Sequence, residues 1–171
     1  MNLMLSSLIG HGLLYGALLS TILSIMILWS LWLNPEIWVH DAPREIQEKY
    51  GPISKKSKRQ RTLFVIPFFL MVIALPWLAL YQLPLATGQP YTFQSVFTTL
   101  FVMFMLFNIV DLLVIDWLIV EAWRPDFICN NRLGRLMEGR YYKFHFLGFC
   151  KGSVGLTLVS LLVAGGVAAL T

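Results

Sequence analysis

Charged side chains are scarce in this chain, 13% of 171 residues, and cysteines scarcer still, at two. Cys129 and Cys150 have no CxxC spacing, so they make neither a disulfide framework nor a zinc or redox motif. No GxSxG or HExxH occurs, and no phosphate-cradling or dinucleotide-binding glycine pattern follows a strand. Asp111 and Asp116 lack the further acidic residues and glycines of a lipid-phosphate transferase motif. His40, Asp41 and His145 offer nitrogen and oxygen donors, but nothing in their spacing selects a metal. No cofactor and no metal are therefore expected. Lys and Arg are absent everywhere except residues 44–61 and 124–151. The first apolar run thus lacks the basic flank of a secretory signal and is expected to be retained as a membrane span.

What the chain does have is apolar surface. A hydrophobic fraction of 57% and a mean hydropathy of +0.70 exceed what a soluble globule carries. Four runs, near residues 8–33, 62–83, 93–122 and 144–170, reach the ~20 residues that cross a hydrocarbon core of ~30 Å. Backbone polar groups in lipid must be paired internally, and these runs are too long for barrel strands. The fold class expected is all-α, a four-helix transmembrane bundle forming a single domain over residues 1–171. The connection 34–61 holds seven basic residues and 123–143 holds five, whereas 84–92 and both ends hold none. That asymmetry predicts both basic loops in the cytoplasm and both termini outside. The net charge of +4 then serves topology and is not a nucleic-acid footprint. Cys129 and Cys150 fall on or near the cytoplasmic side, where thiols stay reduced.

Gly12, Gly16, Ser20 and Ser24 recur every four residues on the first span, a ridge suited to close helix packing inside the molecule or in a homodimer. Trp29, Trp32 and Trp38 cluster where an interfacial aromatic belt belongs. In the first loop, Asp41 is expected to cap a short helix over residues 42–50, whose Ile46 and Tyr50 would rest on the membrane surface. Lys55, Lys56, Lys58, Arg59 and Arg61 follow as a run able to contact anionic lipid head groups. Pro67 and Pro76 are expected to bend the second span. His11 on the first span reads as a packed or interfacial side chain.

The third span places Asn108, Asp111, Asp116 and Glu121 in apolar surroundings. At about 100° per residue, the first three share an arc of about 140° that should face the protein interior. Glu121 falls off that arc and is expected to reach water at the interface. Two intramembrane carboxylates need partners, since each costs ~2.5–3.5 kcal/mol at mid-membrane. Lys151, at matching depth on the fourth span, is the expected partner of Asp111. Gly148, Gly152 and Gly155 would let a neighbouring helix approach. His145, His40 and Asp41 would form a cluster with Asp116 above that pair.

The strings FNIVDLLVIDWLI (107–119), YKFHFLGFCKG (142–152) and NPEIWVHDAPREIQ (34–47) resemble segments of an uncharacterised family of small bacterial four-span membrane proteins. The resemblance implies a multi-pass protein of the bacterial cytoplasmic (inner) membrane and brings no activity with it.

The leading expectation is a non-enzymatic integral membrane protein. Its cluster of Asn108, Asp111, Asp116, His145 and Lys151, with His40 and Asp41 beside it, would bind or pass a small cation, proton or polar ligand. Four spans seldom enclose a whole pathway, so passage would require a homo-oligomer or a larger membrane complex. One rival is an interfacial enzyme acting on a lipid or lipid-linked substrate, with Asp116 or His145 as acid or base. The other is an accessory or assembly subunit of a membrane complex.

Overall fold

The computed structural model describes residues 2–137 and 139–170, the side chain of Asn2 excepted. Among the described residues the chain is all helical and contains no strand. Four helices are long and apolar enough to cross a membrane: Leu3–Leu33, Lys55–Thr87, Phe93–Trp123 and Tyr142–Leu170. In chain order the elements are α1 (Asn2–Leu33), a tight 3-10 turn (Pro35–Asp41), α2 (Arg44–Tyr50) and α3 (Lys55–Thr87). Then come α4 (Phe93–Val110), a wider π-helical continuation of it (Asp111–Trp123), α5 (Asp126–Cys129), α6 (Arg132–Leu136) and α7 (Tyr142–Leu170).

Helices α1 and α4 form the centre, α3 flanks α1, and α7 flanks α4. Two glycines explain the central pair. A Cβ on Gly12 would lie 2.9 Å from the Thr99 carbonyl oxygen, and one on Gly16 would lie 3.0 Å from that of Met103. The ridge expected on the first span therefore serves packing within the molecule, since only a bare backbone can come this close. Leu8, Leu19, Leu23, Leu100 and Met103 fill the contact around it. The outward faces of α3 and α7 are apolar instead: Leu63, Ile66, Ile73 and Trp77 on one, Val154, Leu158 and Leu162 on the other. A soluble monomer rarely exposes so large an apolar surface, and lipid is the solvent that suits it.

Helix α3 begins earlier and ends later than its apolar run. Its first turns carry Lys55–Arg61, and Pro84, expected in a loop, lies inside it. Proline lacks an N–H and frees the carbonyl four residues back. Here that is Leu80, whose oxygen accepts instead from the Tyr91 hydroxyl at 3.1 Å.

The two basic connections pack on each other and form one folded layer. Ile46 and Tyr50 are buried with Val39, Ile53 and Leu133, so they do not lie on a membrane surface as the sequence suggested. Arg132 spans the layer, donating to the Tyr50 carbonyl at 2.9 Å with its guanidinium 4.4 Å above the Tyr50 ring. Asp41 does not cap α2, whose cap position is Pro43; its carboxylate pairs with Arg61 at 3.2 Å. Trp29 and Trp32 are exposed, but Trp38 turns inward and donates to Ser30 Oγ at 3.0 Å.

Glu36 pins this layer to α3. It accepts from the Ser54 N–H at 2.8 Å, from the Ser54 hydroxyl at 3.0 Å and from the Ser57 hydroxyl. Burial acts to raise its pKa, but the hydrogen bonds from Ser57 and Ser54 and the charge of Arg132 outweigh it and hold the pKa below its ordinary value of 4.5. A carboxyl depressed on folding stabilises above its unfolded value, and that stabilisation is lost as pH falls through the folded one. Glu36→Gln should therefore cost about 1 kcal/mol at neutral pH. The deficit should shrink only below the ordinary carboxylate range, as read by thermal melting of both proteins at stepped pH. A deficit constant down to strong acid would contradict this role.

Candidate functional site

The acidic residues of the third span stand five apart: Asp111, Asp116 and Glu121. In an α-helix a five-residue step turns a side chain about 140° away from its predecessor. From Asp111 onward the backbone winds more widely, bonding to the fifth residue back, and the last such bond runs from the Arg124 N–H to the Ile119 carbonyl at 2.9 Å. Five residues then pass one full turn by a small angle, and all three carboxyl residues line the same cavity. Arg124, at φ 50°, ends the segment in the left-handed region.

His145 of α7 stands between two of these carboxyls. Its Nδ1 lies 3.1 Å from Asp116 Oδ2 and its Nε2 lies 3.2 Å from Glu121 Oε1. Donation to both needs two N–H groups, or one N–H and a proton on a carboxyl, so the three side chains share a proton inventory. Asp111 lies within electrostatic range of Asp116 and His145. Glu121, expected at the aqueous edge, is instead 1% exposed, and its Oε2 has no hydrogen-bond partner among the described residues. Sequence reasoning missed it because it assumed ordinary α-helical winding. The five-residue acidic repeat was the signal available.

Asn108 anchors α7 below this group. Its amide donates to the Phe149 carbonyl at 3.1 Å and to Ser153 Oγ at 2.9 Å. Gly152 makes the approach feasible, since a Cβ there would sit 2.9 Å from Asn108 Oδ1. Gly148 and Gly155, grouped with it in the sequence, have nothing within 4 Å of such a Cβ and do not serve helix contact.

Asn108, Asp111, Asp116, Glu121 and His145 line a cavity of about 710 Å³, together with His40 and Asp41 of the first connection. Its walls are otherwise apolar, with Ile27 and Leu31 from α1, Phe68 from α3, Leu112 and Ile115, and Phe149 from α7. Arg44, Gln47, Arg124 and Leu133 of the folded layer line it as well.

The ion pair expected between Asp111 and Lys151 is absent. Lys151 is exposed on the outer side of α7 and does not line the cavity. Equal depth along two helices says nothing about the direction a side chain faces around each axis. Of the basic run, Lys55, Lys56, Lys58 and Arg59 are exposed, while Arg61 is committed to Asp41 and to the Ile37 carbonyl at 2.8 Å. Among the described residues no three His, Cys, Asp or Glu side chains converge as metal ligands would. Cys129 and Cys150 are free thiols. Comparisons with protein-family models, with curated proteins and with solved structures give no match to this chain.

Proposed function

We propose that this chain is a multi-pass integral membrane protein that binds a small amphipathic ligand bearing a positive charge or a transferable proton, and that passes it when assembled into an oligomer. The observation that carries this reading is the buried Oε2 of Glu121, without a hydrogen-bond partner among the described residues, in a cavity that Asp111, Asp116 and His145 also line. Three carboxyls face one imidazole, so full ionisation leaves negative charge in excess, and a cationic group in the cavity supplies the balance. A volume of about 710 Å³ with mostly apolar walls suits a small organic molecule and is far larger than a bare ion requires.

In this reading the two basic connections face the cytoplasm, and the exposed Lys55, Lys56, Lys58 and Arg59 meet anionic head groups. The membrane is the bacterial inner one, as the resemblance of the three strings implies. The test is saturable binding of tritiated tetraphenylphosphonium to the protein in phosphatidylcholine nanodiscs. Binding is expected to weaken about tenfold in Glu121→Gln, about 1.4 kcal/mol, since the neutral amide removes one of the three carboxyl charges that attract the cation. No saturable binding, or binding indifferent to Glu121 and Asp111, would refute the reading.

One observation favours a second reading, an interfacial enzyme: beside the cavity His145 contacts Asp116 at 3.1 Å and Glu121 at 3.2 Å, a set of groups able to pass a proton to or from a substrate. Hydrolysis of a lipid by the purified protein, abolished in His145→Gln, would support it.

A further inference from the structure

His145 touches more acceptors than a neutral imidazole can serve. Its Nδ1 lies 3.1 Å from a carboxyl oxygen of Asp116 and its Nε2 lies 3.2 Å from one of Glu121. A neutral imidazole carries one N–H, so with both carboxyls ionised one contact would set a nitrogen lone pair against a carboxylate oxygen. At least one further proton therefore resides on the ring or on a carboxyl. Charge balance asks for more. Glu121 is 1% exposed and its Oε2 has no hydrogen-bond partner among the described residues. Among those residues Asp116 and Glu121 form ion pairs with His145 alone, and Asp111 forms none. Buried carboxyls that outnumber their cations take up protons, because an uncompensated charge is costly in apolar surroundings.

The elements packed around the group do not pair with it. Helices α1 and α3 contribute apolar walls, Ile27, Leu31 and Phe68. The first connection contributes His40, Asp41 and Arg44, all exposed, with Asp41 already paired to Arg61. From the second connection Arg124 also lines the cavity, but it donates to the carbonyls of Gly134 at 3.3 Å and Met137 at 2.5 Å. Tyr141 lies within electrostatic range of Glu121, and its phenol stays protonated near neutral pH.

Resting on the reading above, we infer that the cavity exchanges an organic cation for a proton. A proton shared by Asp111, Asp116, Glu121 and His145 leaves to water as the cation enters, and one returns from water when the cation departs. One O–H or N–H bond breaks, its electron pair stays on the protein, and the charge of the cation replaces that of the proton. With the carboxyls already balanced by protons, a cation added without release would leave its own charge uncompensated within apolar walls.

The experiment is isothermal titration calorimetry of the nanodisc-embedded protein with tetraphenylphosphonium, in phosphate and in Tris buffer at stepped pH. The probe has no titratable group, so the difference in heat between the buffers counts protons released by the protein. About one proton per cation is expected near neutral pH, and there the apparent affinity should fall about tenfold for each unit the pH is lowered. Release should persist in His40→Gln. It should vanish together with binding when Asp111→Asn is combined with Glu121→Gln, since the remaining Asp116 and His145 balance each other. Binding without proton release at any pH where the protein stays folded overturns the exchange and leaves the cation reading intact. Release abolished by His40→Gln, or persisting in the double variant, places the proton elsewhere and overturns its assignment to the buried group. Absence of saturable binding overturns the underlying reading and this inference with it.

Discussion

Replacing His145 with leucine is expected to destabilise the folded protein by about 3 kcal/mol, because removing one partner of a buried ionic contact strands the other. The stranded groups here are Asp116 and Glu121, which hold His145 at 3.1 and 3.2 Å, and Glu121 has almost no access to water. Reversible unfolding in detergent, by heat or added dodecyl sulfate, reads the loss. The double variant His145→Leu with Glu121→Leu should recover much of it, since well-packed apolar replacements of buried charge are often neutral. His145→Gln, which keeps one donor, should fall between. A loss below about 1 kcal/mol in His145→Leu, the scale of a surface pair, would mean that no carboxyl is trapped against the imidazole.

The second large effect concerns the α1–α4 contact. Gly12→Leu should cost about 3 kcal/mol, the upper range for overpacking a tight contact. Its Cβ alone would stand 2.9 Å from the Thr99 carbonyl and 3.0 Å from Val102 Cβ, with three more carbons to place. The same unfolding assay has a built-in control on the same helix. Gly10 has nothing within 4 Å of a Cβ, so Gly10→Leu should stay within about 0.5 kcal/mol of the parent. Helix propensity favours leucine over glycine at both positions, so equal effects for the two variants would show that the two backbones are not in close contact.

The four spans were legible because hydropathy over some twenty residues depends on composition alone. The inward side of Asn108 was legible too, since α4 keeps ordinary winding up to Val110 and the angular argument holds that far. It fails at Glu121, ten residues beyond Asp111, because hydropathy carries no mark of where a helix widens. The five-residue acidic repeat is the trace of that widening in the sequence. Lys151 failed for a different reason. Rise per residue gives depth, yet azimuth depends on which face α7 turns to α4, and that is set by Gly152 meeting Asn108. The packing of Ile46 and Tyr50 against Leu133 joins segments more than eighty residues apart, a pairing no local pattern announces.

The most direct measurement is photocrosslinking of the nanodisc-embedded protein with a dodecyl ammonium probe carrying a diazirine beside its nitrogen, followed by peptide mapping. The expected adducts fall on residues 111–121 and on 145–149, and excess tetraphenylphosphonium suppresses them. Adducts confined to the outer faces of α3 and α7, unchanged by the competitor, would contradict the claim that the buried carboxyls form a cation-binding cavity.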